Sequence, residues 1–213
     1  NGQGKSTLLK LVAQVMLPDE GRYVGVAWEM LRSGEWLTPT LNGLPFFHKP
    51  PLFYWITAAS LGVFGPHEWA ARLAPLVGAT AAAVSLLWLS RRWSTADTTR
   101  ISGAVLLSLP LFFVGAQFAN LDMLVAGCIS VCIVALAHAA LSAEQRATMP
   151  RGALWVAWLA AALGVLAKGL IGFVLPGLVV TCWLLATGRM RAIPRLLWWP
   201  AMLLFVAVAA PWF

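Results

Sequence analysis

The stretch that decides the fold is residues 123–141, MLVAGCISVCIVALAHAAL, which contains no Asp, Glu, Lys or Arg. As an α-helix rising about 1.5 Å per residue, it is long enough to cross a hydrocarbon layer about 30 Å thick. Five further apolar stretches occupy residues 72–90, 101–119, 153–167, 169–187 and 196–213. The stretch 153–167 is short and needs its flanks or a locally thinner bilayer to span. The sequence therefore predicts an all-α polytopic membrane protein with about six spans.

The charges in the connections between these stretches predict their orientation. Three connections carry eight arginines, namely Arg91, Arg92 and Arg100, then Arg146 and Arg151, then Arg189, Arg191 and Arg195. The other two connections carry Asp122 and Lys168. Because short basic loops stay in the cytoplasm, we expect Asp122, Lys168 and the residues just before 72 to lie on the extracytoplasmic side.

Composition excludes several classes of protein. With 60 % hydrophobic and 11 % charged residues, the chain is neither disordered nor an ordinary soluble domain. Its net charge of +7 is concentrated in the connections rather than on an interleaved polar patch, which argues against a nucleic-acid partner. The three cysteines, Cys128, Cys132 and Cys182, all lie inside apolar stretches, so neither a disulfide framework nor a zinc site is expected.

The beginning of the chain suggests a different kind of protein. Residues 1–7, NGQGKST, are most of a phosphate-binding P-loop, and the residues after them resemble the helix that follows this loop in ABC-transporter ATPases. In that interpretation Gly4, Lys5 and Ser6 would bind nucleotide phosphates and Mg²⁺.

Topology contradicts a working nucleotide site. Such a site belongs in the cytoplasm, whereas the residues before 72 are expected outside, and the apolar run 8–17 is too short to span a membrane. No acidic strand end follows that could supply a second Mg²⁺ ligand. We therefore predict that residues 1–18 are a fusion or misassembly joined near residues 18–21.

Residues 19–71 are predicted to form an external loop with interfacial helices. Val24, Ala27, Trp28 and Leu31 share one face of a helix that Ser33 and Gly34 end. Asn42-Gly43 predicts a tight turn. Pro50-Pro51 holds residues 48–49 in an extended strip before a second apolar helix over residues 52–63. The remaining part, residues 72–213, is predicted to be the transmembrane region, truncated at its C-terminus.

Four motifs in this order resemble one family of membrane enzymes. They are DEGRYVGVAWEMLRSGEWLTPTLNGLPFFHKPPLFYW at 19–55, EWAARL at 68–73, NLDM at 120–123 and LAKGLIGFVLPGL at 166–178. The chain from about residue 18 to residue 213 resembles the aminoarabinose transferases of lipid A, which belong with the protein O-mannosyltransferases among the GT-C membrane glycosyltransferases. In that family a first transmembrane helix precedes the position of Asp19, and a soluble part follows the membrane helices.

The resemblance implies a reaction. A sugar would move from a polyprenyl-phosphate donor to a lipid A-like, lipid or protein acceptor on the extracytoplasmic face of a bacterial inner membrane. Asp19 matches the acidic residue of the family's first external loop and would act as the base, with inversion at the anomeric carbon. Asp122 would be a second catalytic carboxylate. For both aspartates the alternative is a helix N-terminal acid stabilised by the helix dipole.

The same resemblance implies substrate-binding residues. Arg22 would hold Asp19 ionised or contact phosphate, and Tyr23 belongs to the same motif. Lys49 and Lys168 are predicted to converge on the anionic head group of the donor, the alternative for Lys49 being snorkelling to lipid head groups. For Arg72, a third cation of the site and an anchor at the helix entry both stay open.

His48 stands where family members often carry a glutamate that contributes to a divalent metal site. Histidine can bind zinc, but one ligand makes no site, so a divalent metal ion stays an open possibility. Two other functions also stay open for the chain as a whole. One is an ABC-type ATPase and membrane transport fusion, and the other is an inactive fragment.

Overall fold

The computed structural model describes residues 18–146 and 148–213, and the side chains of all of these except residues 18, 19 and 146. Within the described residues the chain forms eleven α-helices. They are α1 (Pro18–Ser33), α2 (Leu52–Phe64), α3 (Glu68–Ala71), α4 (Leu73–Trp93), α5 (Ala96–Ser108), α6 (Pro110–Gln117), α7 (Leu121–Arg146), α8 (Arg151–Lys168), α9 (Ile171–Ala186), α10 (Ile193–Leu196) and α11 (Trp199–Ala209). One small hairpin pairs β1 (Thr40–Leu41) with β2 (Leu44–Pro45). The predicted all-α class is thereby confirmed.

Three helices, α4, α7 and α8, are each long and apolar enough to cross a membrane. Two bent pairs, α5 with α6 and α10 with α11, pass the same test when each pair counts as one span. The predicted span 169–187 became α9, which is apolar but has only 16 residues. At about 1.5 Å per residue, α9 is roughly 24 Å long, shorter than a hydrocarbon layer. The chain is therefore an integral membrane protein. By the length and apolar composition of its described helices it has three to five spans, whereas the sequence predicted six.

The predicted span 101–119 is broken by a proline. Helix α5 ends before Leu109, which has extended backbone dihedrals (φ −69°, ψ 116°), and α6 begins at Pro110 with a bend of 62°. Proline cannot donate a backbone hydrogen bond, and it disfavours helical dihedrals in the residue before it. The predicted span 196–213 is bent by 58° for a similar reason, since Pro200 restarts the helix after Trp198.

Helix α7 is the centre of the membrane region, because α4 and α8 both pack along it. Glycines allow the closest of these contacts. Gly78 of α4 faces Gly127 of α7, and Gly164 of α8 faces Gly172 of α9. There is no room for a Cβ atom on Gly78, Gly127 or Gly172, and a Cβ on Gly164 would make a tight contact of 3.0 Å. Small residues let the backbones of membrane helices approach closely, where van der Waals packing supplies most of the attraction.

The residues before α4 fold into a cap on one end of this bundle. Helix α1 packs on α2, and buried Val26, Met30 and Phe53 join Leu121 and Leu124 of α7 in one apolar cluster. The predicted Asn42-Gly43 turn is confirmed, because both residues adopt positive φ angles (55° and 77°) between the paired strands. The predicted interfacial helices thus form a layer across the ends of the membrane helices.

The two ends of the bundle differ in charge. At one end, which we call the arginine end, Arg189 pairs with Glu144 at 2.7 Å and the Arg151 guanidinium lies 5.5 Å from the Trp198 ring centroid. At the other, the lysine end, Lys168 pairs with Asp122. Successive passes alternate between these ends, as a polytopic membrane protein requires.

Candidate functional site

The cap presents the strip 46–49 at the lysine end through a turn that Glu29 holds. The Glu29 carboxylate accepts hydrogen bonds from the Thr40 hydroxyl (3.0 Å) and from the backbone N–H groups of Asn42 (2.6 Å) and Gly43 (3.2 Å). The backbone N–H of Phe46 then donates to the carbonyl of Pro39 at 2.7 Å. After Pro50 and Pro51 the chain enters α2, so the strip is fixed on both sides.

Lys49 and Lys168 line the same cavity, although 119 positions separate them in the sequence. This lysine cavity has a volume of about 570 Å³ and opens beside the C-terminal end of α8. Its other lining residues are Leu37, Phe47, His48, Pro50, Gly169, Pro211, Trp212 and Phe213. Both lysine side chains are half-buried, and no acidic residue is among these lining residues. The cavity is therefore suited to an anionic group attached to an apolar or aromatic-packing partner.

Asp122 lies next to this cavity rather than in its lining. Its carboxylate pairs with the Lys168 ammonium, and its backbone N–H donates a hydrogen bond to the side-chain carbonyl oxygen of Asn120 at 3.0 Å. The Asp122 side chain is 62 % exposed, so water screens this ion pair and its contribution to stability is small. The pair positions the Lys168 ammonium at the C-terminal end of α8.

Glu20 connects the start of α1 to the segment that leads to Asp122. Its side chain is 2 % exposed, and its carboxylate accepts a hydrogen bond from the backbone N–H of Ala119 at 2.6 Å. The Arg72 guanidinium lies 3.4 Å from the Glu20 carboxylate and 2.6 Å from that of Glu68. Arg72 therefore lies between two carboxylates, as an anchor at the helix entry would, and its role as a third cation of the site stays a prediction.

The structure places the remaining predicted residues on α1. The backbone of Asp19 lies in the first turn of α1, next to Glu20, and its side chain is outside the described part of the structure. Arg22 is exposed, and Tyr23 packs against Phe53 and Tyr54 with ring centroids 6.0 and 6.4 Å away. Neither Arg22 nor Tyr23 lines the lysine cavity. The catalytic and binding roles predicted for these residues stay predictions.

Tyr54 is a buried polar residue that sequence reasoning missed. Burial, with a smaller contribution from Tyr23, raises the pKa of its phenol above the usual range, so the phenol stays protonated. Its hydroxyl has no hydrogen-bond partner among the described residues, and the same holds for Thr57 and Ser60 one and two turns further along α2. The only signal in the sequence was their spacing on one face of an apolar helix.

The described residues form no cluster that could bind a metal ion. His48 stacks on Phe46 with ring centroids 4.7 Å apart. Within residues 18–146 and 148–213, no three His, Cys, Asp or Glu side chains come together to hold a metal ion. The metal role of His48 therefore has no support from the described residues. The nucleotide role of Gly4, Lys5 and Ser6 falls outside the described residues, and both roles stay predictions.

Comparison with known proteins identifies the family. Residues 48–213 match the family described as dolichyl-phosphate-mannose-protein mannosyltransferase. The chain belongs to this family. The resemblance inferred from the four sequence motifs is confirmed at that level.

Bacterial relatives of this mannosyltransferase-family chain carry a more specific name. The undecaprenyl phosphate-alpha-4-amino-4-deoxy-L-arabinose arabinosyl transferase of Pseudomonas aeruginosa is 34 % identical over 204 residues, and that of Pseudomonas savastanoi is 31 % identical over 205. The alignments cover 92 % of this chain but 35 % and 36 % of the respective relatives. The chain thus spans about a third of the length of the curated relatives it matches.

Solved structures share the fold of this family member. ArnT from Cupriavidus metallidurans bound to undecaprenyl phosphate has a TM-score of 0.87 and 31 % sequence identity, covering 99 % of this chain and 40 % of that one. The apo state of the same protein has a TM-score of 0.85 and 32 % identity, covering 100 % and 41 %. The predicted GT-C membrane fold is therefore confirmed.

Proposed function

We propose that the lysine cavity binds the phosphate of a polyprenyl-phosphate sugar donor, and that the whole protein transfers the sugar to an acceptor on the extracytoplasmic face of the bacterial inner membrane. The observation that carries this proposal is that Lys49 and Lys168 line one cavity at the lysine end of the bundle. Family membership and the similarity to an ArnT structure bound to undecaprenyl phosphate support the choice of donor.

Electrostatics favours a phosphate in this cavity. Two half-buried ammonium groups that line one space repel each other, and an anion placed between them removes that repulsion. The apolar tail of the donor stays in the bilayer, which keeps its phosphate at the depth of the helix ends. Asp122 holds Lys168 in position, so the cavity has its cations in place before the donor arrives.

The proposed reaction assigns a role to each of these residues. The acceptor oxygen forms a bond to the anomeric carbon while the bond from that carbon to the phosphate oxygen breaks. Lys49 and Lys168 stabilise the negative charge that the carrier phosphate gains as it leaves. Asp19 accepts the proton of the acceptor hydroxyl, and attack from the face opposite the phosphate inverts the anomeric configuration.

Two kinds of molecule are candidates for the acceptor of the sugar. The arabinosyl transferase relatives favour 4-amino-4-deoxy-L-arabinose as the sugar. The resemblance carried by the four sequence motifs favours a lipid A-like acceptor. A protein acceptor, which the family description suggests, is the second candidate.

The distribution of ionisable residues argues against a transport function. In α4, α7, α8 and α9, every Asp, Glu, Lys and Arg lies within about one turn of a helix end. Transporters place such residues near the middle of their spans, where ions and substrates pass. Chemistry at the membrane surface therefore fits this bundle better than permeation through it.

Binding of a polyprenyl phosphate to the purified protein tests the proposal. We expect Lys49→Ala and Lys168→Ala each to weaken binding by about tenfold or more, because each removes a charge-assisted contact to phosphate. Arg191→Gln at the arginine end is the matched control and should bind as the unmodified protein does. Unchanged binding in both lysine variants would reject the site.

Transfer of labelled sugar by the full-length protein tests the base. We expect Asp19→Asn to bind the donor normally and to lose most of its transfer activity, since an amide cannot accept the proton. Transfer at the unmodified rate would assign the base to another residue and leave the phosphate site intact.

A further inference from the structure

A groove runs along α7 on the arginine side of the bundle. Helices α4 and α8 both pack on α7 and form the two walls of this groove. Its volume is about 460 Å³, and its floor consists of Val131, Val134, Ala135 and His138, which recur at helical spacing on one face of α7. The wall residues Val84 and Val156 are 60 % and 49 % exposed. The groove is therefore an apolar channel that is open along its length.

The groove widens into a polar mouth at the arginine end. This mouth, of about 340 Å³, is lined by Trp88, Arg92, His138, Ser142, Thr148 and Pro150. Trp88, His138 and Pro150 line both spaces, so the mouth and the groove are continuous. A Cβ at Gly152 would meet no described atom within 4 Å, which shows open space where the two join.

The side chains of the mouth suit an anion. Arg92 carries a permanent positive charge, and no acidic residue is among the lining residues. The His138 ring is held between aromatic side chains, since its centroid lies 4.8 Å from that of Trp88 and its Nδ1 accepts the Trp93 indole N–H at 3.2 Å. The Ser142 hydroxyl lies beside the same ring. A rigid aromatic wall thus faces one cation and two hydroxyl groups, those of Ser142 and Thr148.

We propose that this groove binds one anionic phospholipid, with its phosphate at Arg92 and an acyl chain lying along α7. The site is at the opposite end of the bundle from the lysine cavity and is independent of the proposed transfer reaction. Charge complementarity selects the occupant. A second apolar helix would fill the groove but would bring no anion to Arg92, and a free phosphate ion would leave the apolar channel unfilled. An anionic phospholipid matches both surfaces at once.

Lipid binding to the purified 213-residue chain in detergent tests the proposal, with native mass spectrometry counting bound lipid. We expect dioleoyl-phosphatidylglycerol to bind at least about tenfold more tightly than dioleoyl-phosphatidylcholine. Arg92→Gln should abolish this preference. Arg100→Gln is the matched control, because it removes an exposed arginine of α5 that pairs with Asp97 and does not line the mouth.

A second variant tests the groove itself. Because Val156 is 49 % exposed, Val156→Trp should leave the fold intact while filling the channel, and it should reduce the number of tightly held lipids by one. Equal affinity for the two lipids, an equal loss in Arg92→Gln and Arg100→Gln, or unchanged binding in Val156→Trp would each overturn the proposal. Displacement of the lipid by millimolar glycerol phosphate would instead identify a free-phosphate site and would overturn it as well.

Discussion

Glu20 is the residue on which the cap depends most. A carboxylate on a side chain that is only 2 % exposed is costly to bury unless its charge is compensated. Here the backbone N–H of Ala119 and the Arg72 guanidinium compensate it, and they come from two different parts of the chain. Glu20 thus joins three segments, α1, the start of α4 and the approach to α7, and keeps the predicted carboxylates Asp19 and Asp122 on elements that are fixed to each other.

We expect Glu20→Gln to lower the free energy of unfolding by about 2 kcal/mol. Glutamine can still accept the Ala119 N–H, but the Arg72 guanidinium, whose side chain is 26 % exposed, loses a charged partner. Chemical or thermal unfolding in detergent micelles would measure the change. Glu144→Gln is the matched control, because its pair with Arg189 is exposed, and it should change stability by about 0.5 kcal/mol or less. Similar effects of the two variants would show that the Glu20 contacts add no stability beyond that of a surface pair.

Glu20 also shows where the sequence was insufficient at this scale. Glu20 stands beside Asp19 at a helix start, where the helix dipole favours an acidic residue. Its partners, Ala119 and Arg72, are 99 and 52 positions away, and no local pattern predicts such contacts. Glu68 and Arg72, in contrast, stand four residues apart, and that spacing alone indicates an ion pair.

At the scale of elements, glycines decide how closely the membrane helices pack. A Cβ placed on Gly78 would lie 2.6 Å from the Leu124 Cα atom, and one placed on Gly127 would lie 2.7 Å from the Gly78 Cα atom. These distances are far below van der Waals contact, and the obstructing atoms belong to the backbone, which cannot rotate away. Helices α4 and α7 would have to separate to admit even one methyl group.

Gly127→Ala should therefore destabilise the bundle by about 1–3 kcal/mol, in spite of the better helix propensity of alanine. Gly177→Ala is the control, because a Cβ there would meet no described atom within 4 Å. Its effect should be neutral or stabilising by up to about 1 kcal/mol. Unfolding of both variants in the same detergent would measure the difference. A Gly127→Ala variant as stable as Gly177→Ala would contradict the close approach of α4 and α7.

The sequence predicted the helices better than their ends and bends. The length of the apolar stretches correctly predicted α4, α7 and α8, because nothing in those stretches interrupts a helix. It missed the break at Leu109, although Pro110 was visible, because a proline inside a membrane helix either bends it or begins a new one. Here Pro110 begins a new helix, α6, which packs against α4 and α7. Such tertiary contacts cannot be predicted from the local sequence.

For the whole molecule, the sequence predicted that Lys49 and Lys168 lie on the same side of the membrane, but it did not predict the geometry of the site that they form. The charge pattern assigned Lys49 and Lys168 to one side, and family motifs suggested one ligand for both. The structure adds the cavity that they line together and the contribution of Trp212, a residue that no motif singled out. Trp212 packs on Trp55 of the cap with ring centroids 6.4 Å apart. Residues 211–213, which are distant in sequence from the cap, therefore form one wall of the lysine cavity.

The separation of charge between the two ends predicts the orientation of the bundle in a cell. The lysine end should face the periplasm, because the connections at the arginine end carry the basic residues that resist translocation. In a background with Cys128, Cys132 and Cys182 replaced by alanine, His48→Cys and Asp122→Cys should react with a membrane-impermeant thiol reagent added to intact cells. Thr95→Cys and Arg191→Cys, which lie at the arginine end, should react only after the membrane is opened. Reaction of positions 48 and 122 from opposite sides would separate Lys49 from Lys168, and no single phosphate could then contact both.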